Sequence, residues 1–365
     1  MDSAARPVEA EEFTEFYTDL DRKHLIPLWN ITANLLPREP KTKILPFLWR
    51  WKDLYPLAMR AGELVPIERG GERRVLGLVN PGLPGKWSAT STLWAAVQIL
   101  LPNETAPAHR HSPAAIRFII QGEGAYTSVE GEKCVMGRGD LVLTPAWMWH
   151  DHGNDTNEPM LWMDGLDLPI VHELDAVFFD PYPEFRQALT RPDNSSESRY
   201  GVGQLKPAWE PLTQGASPLW NYKWTRTHEA LMNLARTQGS PFDDVALEYI
   251  NPHTGGPALP TLACWIQLLR PGVHTQAHRH TGSAVYHVFE GSGATITNGQ
   301  RFDWSKGDFF VLPPWAWHEH LNPTDGEAIL FSIHDAPIMR ALGLYREQPY
   351  EKNGGHQVAT GVFSG

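Results

Sequence analysis

Residues 92–126, TLWAAVQILLPNETAPAHRHSPAAIRFIIQGEGAY, return in altered form as residues 261–295, TLACWIQLLRPGVHTQAHRHTGSAVYHVFEGSGAT. A second pair of blocks follows: GRGDLVLTPAWMWHDHGN over residues 137–154 and SKGDFFVLPPWAWHEHLN over residues 305–322. The first pair aligns at an offset of 169 residues and the second at 168, so a single residue is lost between them. Matches this long with one deletion indicate an internal duplication. The histidines that correspond are His109 and His278, His111 and His280, His150 and His318, and His152 and His320.

Each copy consists of short runs of β-branched and aromatic residues separated by turns that contain glycine. With 31 Gly and 31 Pro among 365 residues the chain is turn-rich, which favours an all-β protein of two duplicated jelly-roll barrels. Apolar residues at helical spacing before the first copy predict an N-terminal helical arm, and residues 227–236 predict a helix between the copies. The predicted organisation is an arm over 1–65, a first barrel over 66–172, a connector over 173–240, a second barrel over 241–345 and a flexible tail over 346–365.

Composition excludes several classes of partner. The chain carries 31 Lys and Arg against 42 Asp and Glu, and a net charge of −11 argues against a nucleic-acid or acidic-membrane partner. No stretch approaches the ~18 apolar residues of a membrane span, and the N-terminus has no secretory pattern. Two cysteines, Cys134 and Cys264, cannot form a disulfide framework. These features predict a soluble, cytoplasmic protein.

The histidines of the two copies form a metal-ligand pattern. In a β-strand, residues i and i+2 point to one face, so His-x-His presents two imidazoles side by side. A third histidine about forty residues later can complete a facial set of three nitrogens, which suits Fe(II), Zn or Cu and leaves positions open for substrate and O2 or water. Packed or surface histidines are the alternative, and the recurrence of the spacing in both copies argues against it. The predicted ligands are His109, His111 and His150, with a second possible site at His278, His280 and His318.

Arginines predict an anion receptor beside the first site only. Arg117 shares the inward face of its strand, where the second copy has Tyr286. A buried guanidinium needs a negative partner, either a substrate carboxylate or an internal carboxylate. Arg69, Arg73 and Arg74 precede the first barrel, where a solvated cluster and a contact to substrate are both open. The first barrel is therefore the predicted place of catalysis.

Three further positions of the first copy are candidate site residues. Trp94 replaces the Ala263 of the second copy and could be a core residue or a wall for a flat ring. Asp164 lies on a late strand, where it could orient His150 or His152 or cap the structure. His152 lies two residues after the distal ligand His150 and so shares its face of the strand. It could donate a hydrogen bond into the site, or it could have a structural role.

The paired blocks resemble the two motifs of the cupin superfamily, and the whole chain resembles the bicupin ring-cleaving gentisate 1,2-dioxygenases, which are grouped with salicylate and 1-hydroxy-2-naphthoate dioxygenases. The resemblance rests on RGGERRVLGLVNPG over residues 69–82 and on the block over residues 94–124. Many cupins have a carboxylate ligand seven residues before the motif glycine, where this chain has Ala115 and Ala284. That absence matches the gentisate dioxygenase pattern and weighs against oxalate decarboxylase-like chemistry.

The resemblance implies a function and roles for the candidate residues. It implies at least one Fe(II) per chain, a homotetramer, and insertion of O2 into gentisate to give maleylpyruvate. Arg117 and Arg73 would hold the substrate carboxylate, with Arg69 in the same segment. Trp94 would line the pocket, Ala96 would touch the ring, and His152 would hydrogen-bond a substrate oxygen. Salicylate or 1-hydroxy-2-naphthoate as substrate is the nearer alternative, and a non-catalytic bicupin that binds a small acid or a carbohydrate is the other.

Overall fold

The computed structural model describes residues 10–67 and 74–364, and the chain divides between Lys41 and Thr42 into two compact units. The first unit contains helices α1 (Ala10–Arg22) and α2 (Leu28–Leu35). Helix α1 has two glutamates in its first turn and an arginine in its last, so these charges complement the helix dipole. The predicted helical arm is therefore present. Its third helix, α3 (Trp51–Leu64), belongs to the second unit.

The second unit contains two barrels, each made of two sheets. The first barrel is built from β2 (Val75–Gly77), β3 (Trp94–Leu100), β4 (Thr105–His111), β5 (Ala115–Gln121), β6 (Glu123–Val129), β7 (Glu132–Gly137), β8 (Leu141–Thr144), β9 (His150–Gly153), β10 (Met160–Leu166), β11 (Phe179–Pro181) and β12 (Asn221–Tyr222). Its sheets have the strand orders β12-β8-β5-β10-β3-β2 and β11-β4-β9-β6-β7. A short helix, α4 (Leu168–Glu173), lies between β10 and β11, another, α5 (Ser195–Tyr200), lies between β11 and β12, and helix α6 (Trp224–Leu234) follows β12.

The second barrel repeats this arrangement. Its strands are β1 (Phe47–Trp49), β13 (Val245–Glu248), β14 (Ala263–Leu269), β15 (His278–His280), β16 (Ala284–Glu290), β17 (Ser292–Thr297), β18 (Gln300–Ser305), β19 (Phe309–Leu312), β20 (His318–Leu321), β21 (Ala328–His334), β22 (Glu347–Pro349) and β23 (Gly361–Val362), with α7 (Ala336–Ala341) after β21. The strand orders are β1-β19-β16-β21-β14-β13 and β22-β15-β20-β17-β18-β23. The prediction of an all-β protein with two duplicated jelly-roll barrels is confirmed.

Strand alternation separates the barrel interiors from the core between the barrels. On β5, Ala115 and Arg117 face the interior of the first barrel, whereas Ile116 and Phe118 face away from it and join the largest apolar cluster. Phe118 stacks on Phe331 of the second barrel, with ring centroids 4.0 Å apart. This core fixes the two barrels against each other and leaves the interior of each barrel available for a site.

The duplication extends beyond the two blocks found in the sequence. Strand β1, which precedes the first barrel, pairs with β19 of the second, and β12, which precedes the second barrel, pairs with β8 of the first. The helices that follow them start in the same way: the Trp51 amide donates to Asp308 Oδ1 and the Trp224 amide to Asp140 Oδ1, both at 2.8 Å. Each barrel thus contains a strand from the segment that precedes the other.

The C-terminal segment is not a flexible tail. Its residues 347–349 pair with His278–His280 as β11 pairs with β4 in the first barrel, and β23 pairs with β18. The offset of 168 residues therefore continues through α4 and β11 into α7 and β22. Glycines that suggested looseness serve in turns, since Gly354 and Gly355 have φ values of 66° and 91°. Within the described ranges, no helix combines the length and apolar character needed to cross a bilayer.

Candidate active site

Two neighbouring strands bring the first three histidines together. His109 and His111 lie on β4, and His150 begins β9, where it pairs with His109 across the sheet. One ring nitrogen from each lies within 4.8 Å of the others. The arrangement is the facial set of three imidazoles that the His-x-His spacing predicts.

Backbone carbonyls set the tautomer of all three rings. The Nδ1 atoms of His109, His111 and His150 lie 2.9, 2.7 and 2.9 Å from the carbonyl oxygens of Pro107, Pro113 and Met148. A carbonyl only accepts, so each Nδ1 carries the hydrogen and Nε2 is the nitrogen with a lone pair.

The donor set fits a divalent metal ion. Nε2 of His150 is buried and has no hydrogen-bond partner in the described part of the chain, which is what a ligand nitrogen requires. Burial, and then the neighbouring histidines, lower the pKa of His150 well below its ordinary value. The ring is therefore neutral near pH 7, ready to coordinate without losing a proton.

Arg117 lies beside the triad and is 5% exposed. Its Nη1 donates to Thr144 Oγ1 at 2.9 Å, and its Nε lies 3.4 Å from Asp164 Oδ1. Asp164 also accepts from Trp162 Nε1 at 3.0 Å. Burial raises the pKa of Asp164 to about 6, although the charge of Arg117 acts in the opposite direction. Arg117 thus has an internal carboxylate partner and also lines the cavity.

The proposed orientation of His150 or His152 by Asp164 is not what the contacts show. Nδ1 of His150 contacts the Met148 carbonyl, and Nδ1 of His152 lies 2.9 Å from Thr127 Oγ1. The strand register instead places Asp164 opposite Arg117 on β5, because β10 lies between β5 and β3 in the sheet. The carboxylate therefore positions the arginine.

His109, His111 and Arg117 line a cavity of about 250 Å³. Trp94 and His152 line it, together with residues for which the sequence offered no argument: Val75, Gln98, Pro113, Leu166, Leu168, Val177, Phe178 and Phe179. Ala96 is fully buried on β3 between Trp94 and Gln98 and does not line the cavity. Phe179 packs against His109, with ring centroids 5.2 Å apart.

The phenylalanines come from the segment that the sequence assigned to a connector. The offset of 168 residues can be continued past the second block, where it aligns Phe179 with Glu347. Following the alignment this far would have assigned the segment around Phe179 to the repeat.

Of the three arginines before the first barrel, one lies within the described residues. Arg69 and Arg73 lie outside the described residues. Arg74 is described and is 4% exposed; its guanidinium pairs with Glu104 and donates to the Gly62 carbonyl at 3.0 Å. Arg74 is therefore a buried structural residue and is not part of a solvated cluster.

The second barrel contains an equivalent triad in different surroundings. Ring nitrogens of His278, His280 and His318 lie within 4.8 Å of one another, beside a cavity of about 220 Å³. Burial lowers the pKa of His278 to about 3 and that of His280 to about 4. Tyr286 occupies the position of Arg117, and the charged residues that line the cavity are two carboxylates, Asp243 and Glu347, and an exposed arginine, Arg340. With two carboxylates and no buried arginine among the described residues that line it, these surroundings suit a metal ion and attract an anionic substrate less than the first cavity does.

The fold and the two triads define a two-barrel cupin protein. The family model described as "Cupin domain" matches residues 96–166 and 265–334. A 5-aminosalicylate 1,2-dioxygenase of Comamonas sp. is 45% identical over 95% of this chain and 95% of its own length, and a gentisate 1,2-dioxygenase of Streptomyces sp. is 42% identical over 94% and 98%. The crystal structure of a salicylate 1,2-dioxygenase from Pseudaminobacter salicylatoxidans superposes with a TM-score of 0.88 at 40% identity, covering 94% of this chain and 99% of that one. The chain belongs to this family of bicupin ring-cleaving 1,2-dioxygenases and is an oxidoreductase of the dioxygenase class.

Proposed function

We propose that the protein is a gentisate 1,2-dioxygenase, which holds Fe(II) on His109, His111 and His150 and opens the ring of gentisate with O2 to give maleylpyruvate. The observation that carries the proposal is the position of Arg117, a buried cation in an otherwise largely apolar cavity, directly beside the three histidines. Relatives named gentisate 1,2-dioxygenase support the substrate, as does a salicylate dioxygenase crystallised as an adduct with gentisate.

Bound iron would supply coordination positions for O2 and for the hydroxyl and carboxylate oxygens of the substrate. The chain supplies the rest. Arg117 donates to the substrate carboxylate. Thr144 and Asp164 already hold the Arg117 side chain in place, so it loses little conformational freedom when the substrate binds. Trp94 and Phe179 form apolar walls for the ring and exclude water.

His152 is the proposed hydrogen-bond partner of a substrate oxygen. Its Nδ1 faces Thr127 and its ring lines the cavity, so Nε2 is the nitrogen that can act there. Burial lowers the pKa of His152 well below 6.5, which makes it a neutral polar group. Arg73 and Arg69 remain proposed carboxylate contacts.

Three broader properties belong to the same proposal. The second triad binds metal and has no part in turnover, because its cavity has Tyr286 where the first has Arg117. The protein is cytoplasmic and assembles as a homotetramer. Association is supported by α2, which buries none of its residues and leaves Trp29 65% exposed. Sedimentation of untagged protein tests the tetramer.

Oxygen uptake by iron-loaded protein tests the function. Gentisate, salicylate, 1-hydroxy-2-naphthoate and 5-aminosalicylate are compared at equal concentration, and the ring-opened product is identified by mass. We expect the highest kcat/KM with gentisate, and one O2 consumed per ring opened. A higher kcat/KM with salicylate or 1-hydroxy-2-naphthoate would transfer the proposal to that substrate. No uptake with any of the four would favour the non-catalytic bicupin.

A further inference from the structure

A third group of potential metal ligands lies on the opposite face of the strand that carries His318. Strand alternation points His318 and His320 into the second barrel and Glu319 away from it. Glu319 Oε2 lies 3.0 Å from His356 Nδ1 and 3.3 Å from His274 Nε2. We propose that His274, Glu319 and His356 bind a divalent transition-metal ion, Zn²⁺ in particular, at a site separate from both triads.

The donor atoms are arranged for one ion. One atom from each residue lies within 4.8 Å of the others, and the two imidazole rings are 4.1 Å apart. Two imidazoles and a carboxylate are the donors that Zn²⁺ takes in proteins, and the remaining positions can hold water. The side chains of His274 and His356 are 40% and 31% exposed, so an ion can enter from solvent, while that of Glu319 is fully buried.

The equivalent position of the first barrel has an arginine beside its carboxylate and no cluster of potential metal ligands among the described residues. There Asp151 replaces Glu319 and accepts from the Gln187 amide at 3.0 Å, as Glu319 accepts from the Gln357 amide at 2.9 Å. Arg186, one residue before Gln187, supplies a permanent positive charge near Asp151 and contacts Thr105, the counterpart of His274. The residue before Gln357 is His356.

The exchange changes the chemistry of the position. A buried carboxylate needs a neighbouring cation, and Arg186 is charged at every accessible pH. Imidazoles provide no permanent charge, but they provide lone pairs, so a divalent ion bound between them would balance Glu319. The ion would also join strand β20 to the segment around His356, which stabilises the C-terminal part of the second barrel.

Zinc binding to the intact chain tests the site. Untagged protein is stripped with chelator and equilibrated with Zn²⁺ at a series of free concentrations, and bound zinc is counted per chain. We expect the wild type to bind one more Zn²⁺ per chain than either His274→Gln or His356→Gln, whose triads are intact. Zn²⁺ should also raise the melting temperature of the wild type more than that of either variant.

His228→Gln is the matched control, because His228 is an exposed histidine on α6 outside the three clusters of potential ligands. It should bind as much zinc as the wild type. Thermal melting in the presence of chelator shows whether the variants are folded. If His356→Gln does not fold, His274→Gln still tests the site, because His274 is the more exposed of the two. Equal zinc content in wild type and His274→Gln would overturn the proposal, as would an equal rise in melting temperature with Zn²⁺ in both.

Discussion

Arg117 has two partners of the same charge type, the internal carboxylate of Asp164 and the proposed substrate carboxylate. Replacing it with Gln removes a charge-assisted contact of about 1.5–3 kcal/mol, so we expect KM for gentisate to rise about 10- to 100-fold, with a smaller fall in kcat. It also leaves Asp164 buried beside a neutral group, which lowers the free energy of unfolding. Oxygen uptake and urea unfolding measure the two effects.

Arg226→Gln is the control for this change, since Arg226 is an exposed arginine that pairs with Glu197 on the surface. Its kinetics and stability should match those of the wild type. An Arg117→Gln enzyme with an unchanged KM would mean that the substrate carboxylate binds elsewhere, and the segment with Arg69 and Arg73 would be the next to vary.

Asp164 gives stability a defined dependence on pH. Its pKa of about 6 lies above the 3.8 of an ordinary aspartate, so the folded state holds the proton more tightly than the unfolded state between these values. Stability contributed by the protonated group is complete below pH 4 and is lost as pH rises to about 6. The loss is about 3 kcal/mol, from two pH units at 1.36 kcal/mol each.

Asp164→Asn removes this titration. Urea unfolding of wild type and variant at pH 4, 5, 6 and 7 should show the wild type losing stability relative to the variant up to pH 6, and a constant difference above it. Loss of the charged partner of Arg117 lowers the free energy of unfolding of the variant by the same amount at every pH, so it does not alter how the difference between the two proteins changes with pH. Parallel curves across the range would show that Asp164 titrates normally.

The reciprocal strand exchange is the main feature at the scale of elements. Asp308 accepts from the Trp51 amide, from Arg50 and from the Ser305 amide, and thereby joins the segment before the first barrel to a turn of the second. Because Asp308 is buried while its donors are only partly so, Asp308→Ala should cost about 1–3 kcal/mol. Asp140→Ala, the equivalent change in the first barrel, should cost a similar amount.

Urea unfolding followed by tryptophan fluorescence measures the loss, and Asp303→Ala, at an exposed aspartate, should cost under about 0.5 kcal/mol. Since each barrel contains a strand from the other half, we also expect one cooperative transition in the wild type. Two separated transitions, or a neutral Asp308→Ala, would contradict the exchange.

The features that could be predicted from the sequence are those set by short local patterns of residues. The His-x-His pairs and the turn glycines are local, and they correctly predicted the barrels and the clustering of three histidines in each. The partner of Asp164 is set by which strand lies beside β5, which no local pattern contains. The aspartates that cap α3 and α6 lie 257 and 84 residues from the amides they accept, so the exchange was equally invisible. The first-barrel role of Phe179 was within reach, because the 168-residue offset continues to it.

At the scale of the whole molecule, the two barrels have the same ligands and different cavities. The first combines its triad with Arg117, Asp164 and apolar walls, whereas the second combines its triad with Tyr286, Asp243, Glu347 and Arg340. The second cavity has one arginine against two carboxylates, so it attracts an anionic substrate less than the first does. The histidine triad is therefore duplicated in this chain, while a buried arginine beside it is found in the first barrel, which is why we propose substrate binding there.

His109→Ala and His278→Ala, matched substitutions at corresponding positions, separate the two roles. Each removes one of three ligands, so each should lower the metal content by up to one ion per chain. We expect His109→Ala to abolish oxygen uptake with gentisate, and His278→Ala to retain most of it while lowering the melting temperature, because a ligand bound only to the folded state stabilises it. Metal analysis, oxygen uptake and thermal melting are measured on the same preparations. Equal loss of activity in both variants would contradict the assignment of catalysis to the first barrel, and retention of activity in His109→Ala would move the reaction to the second.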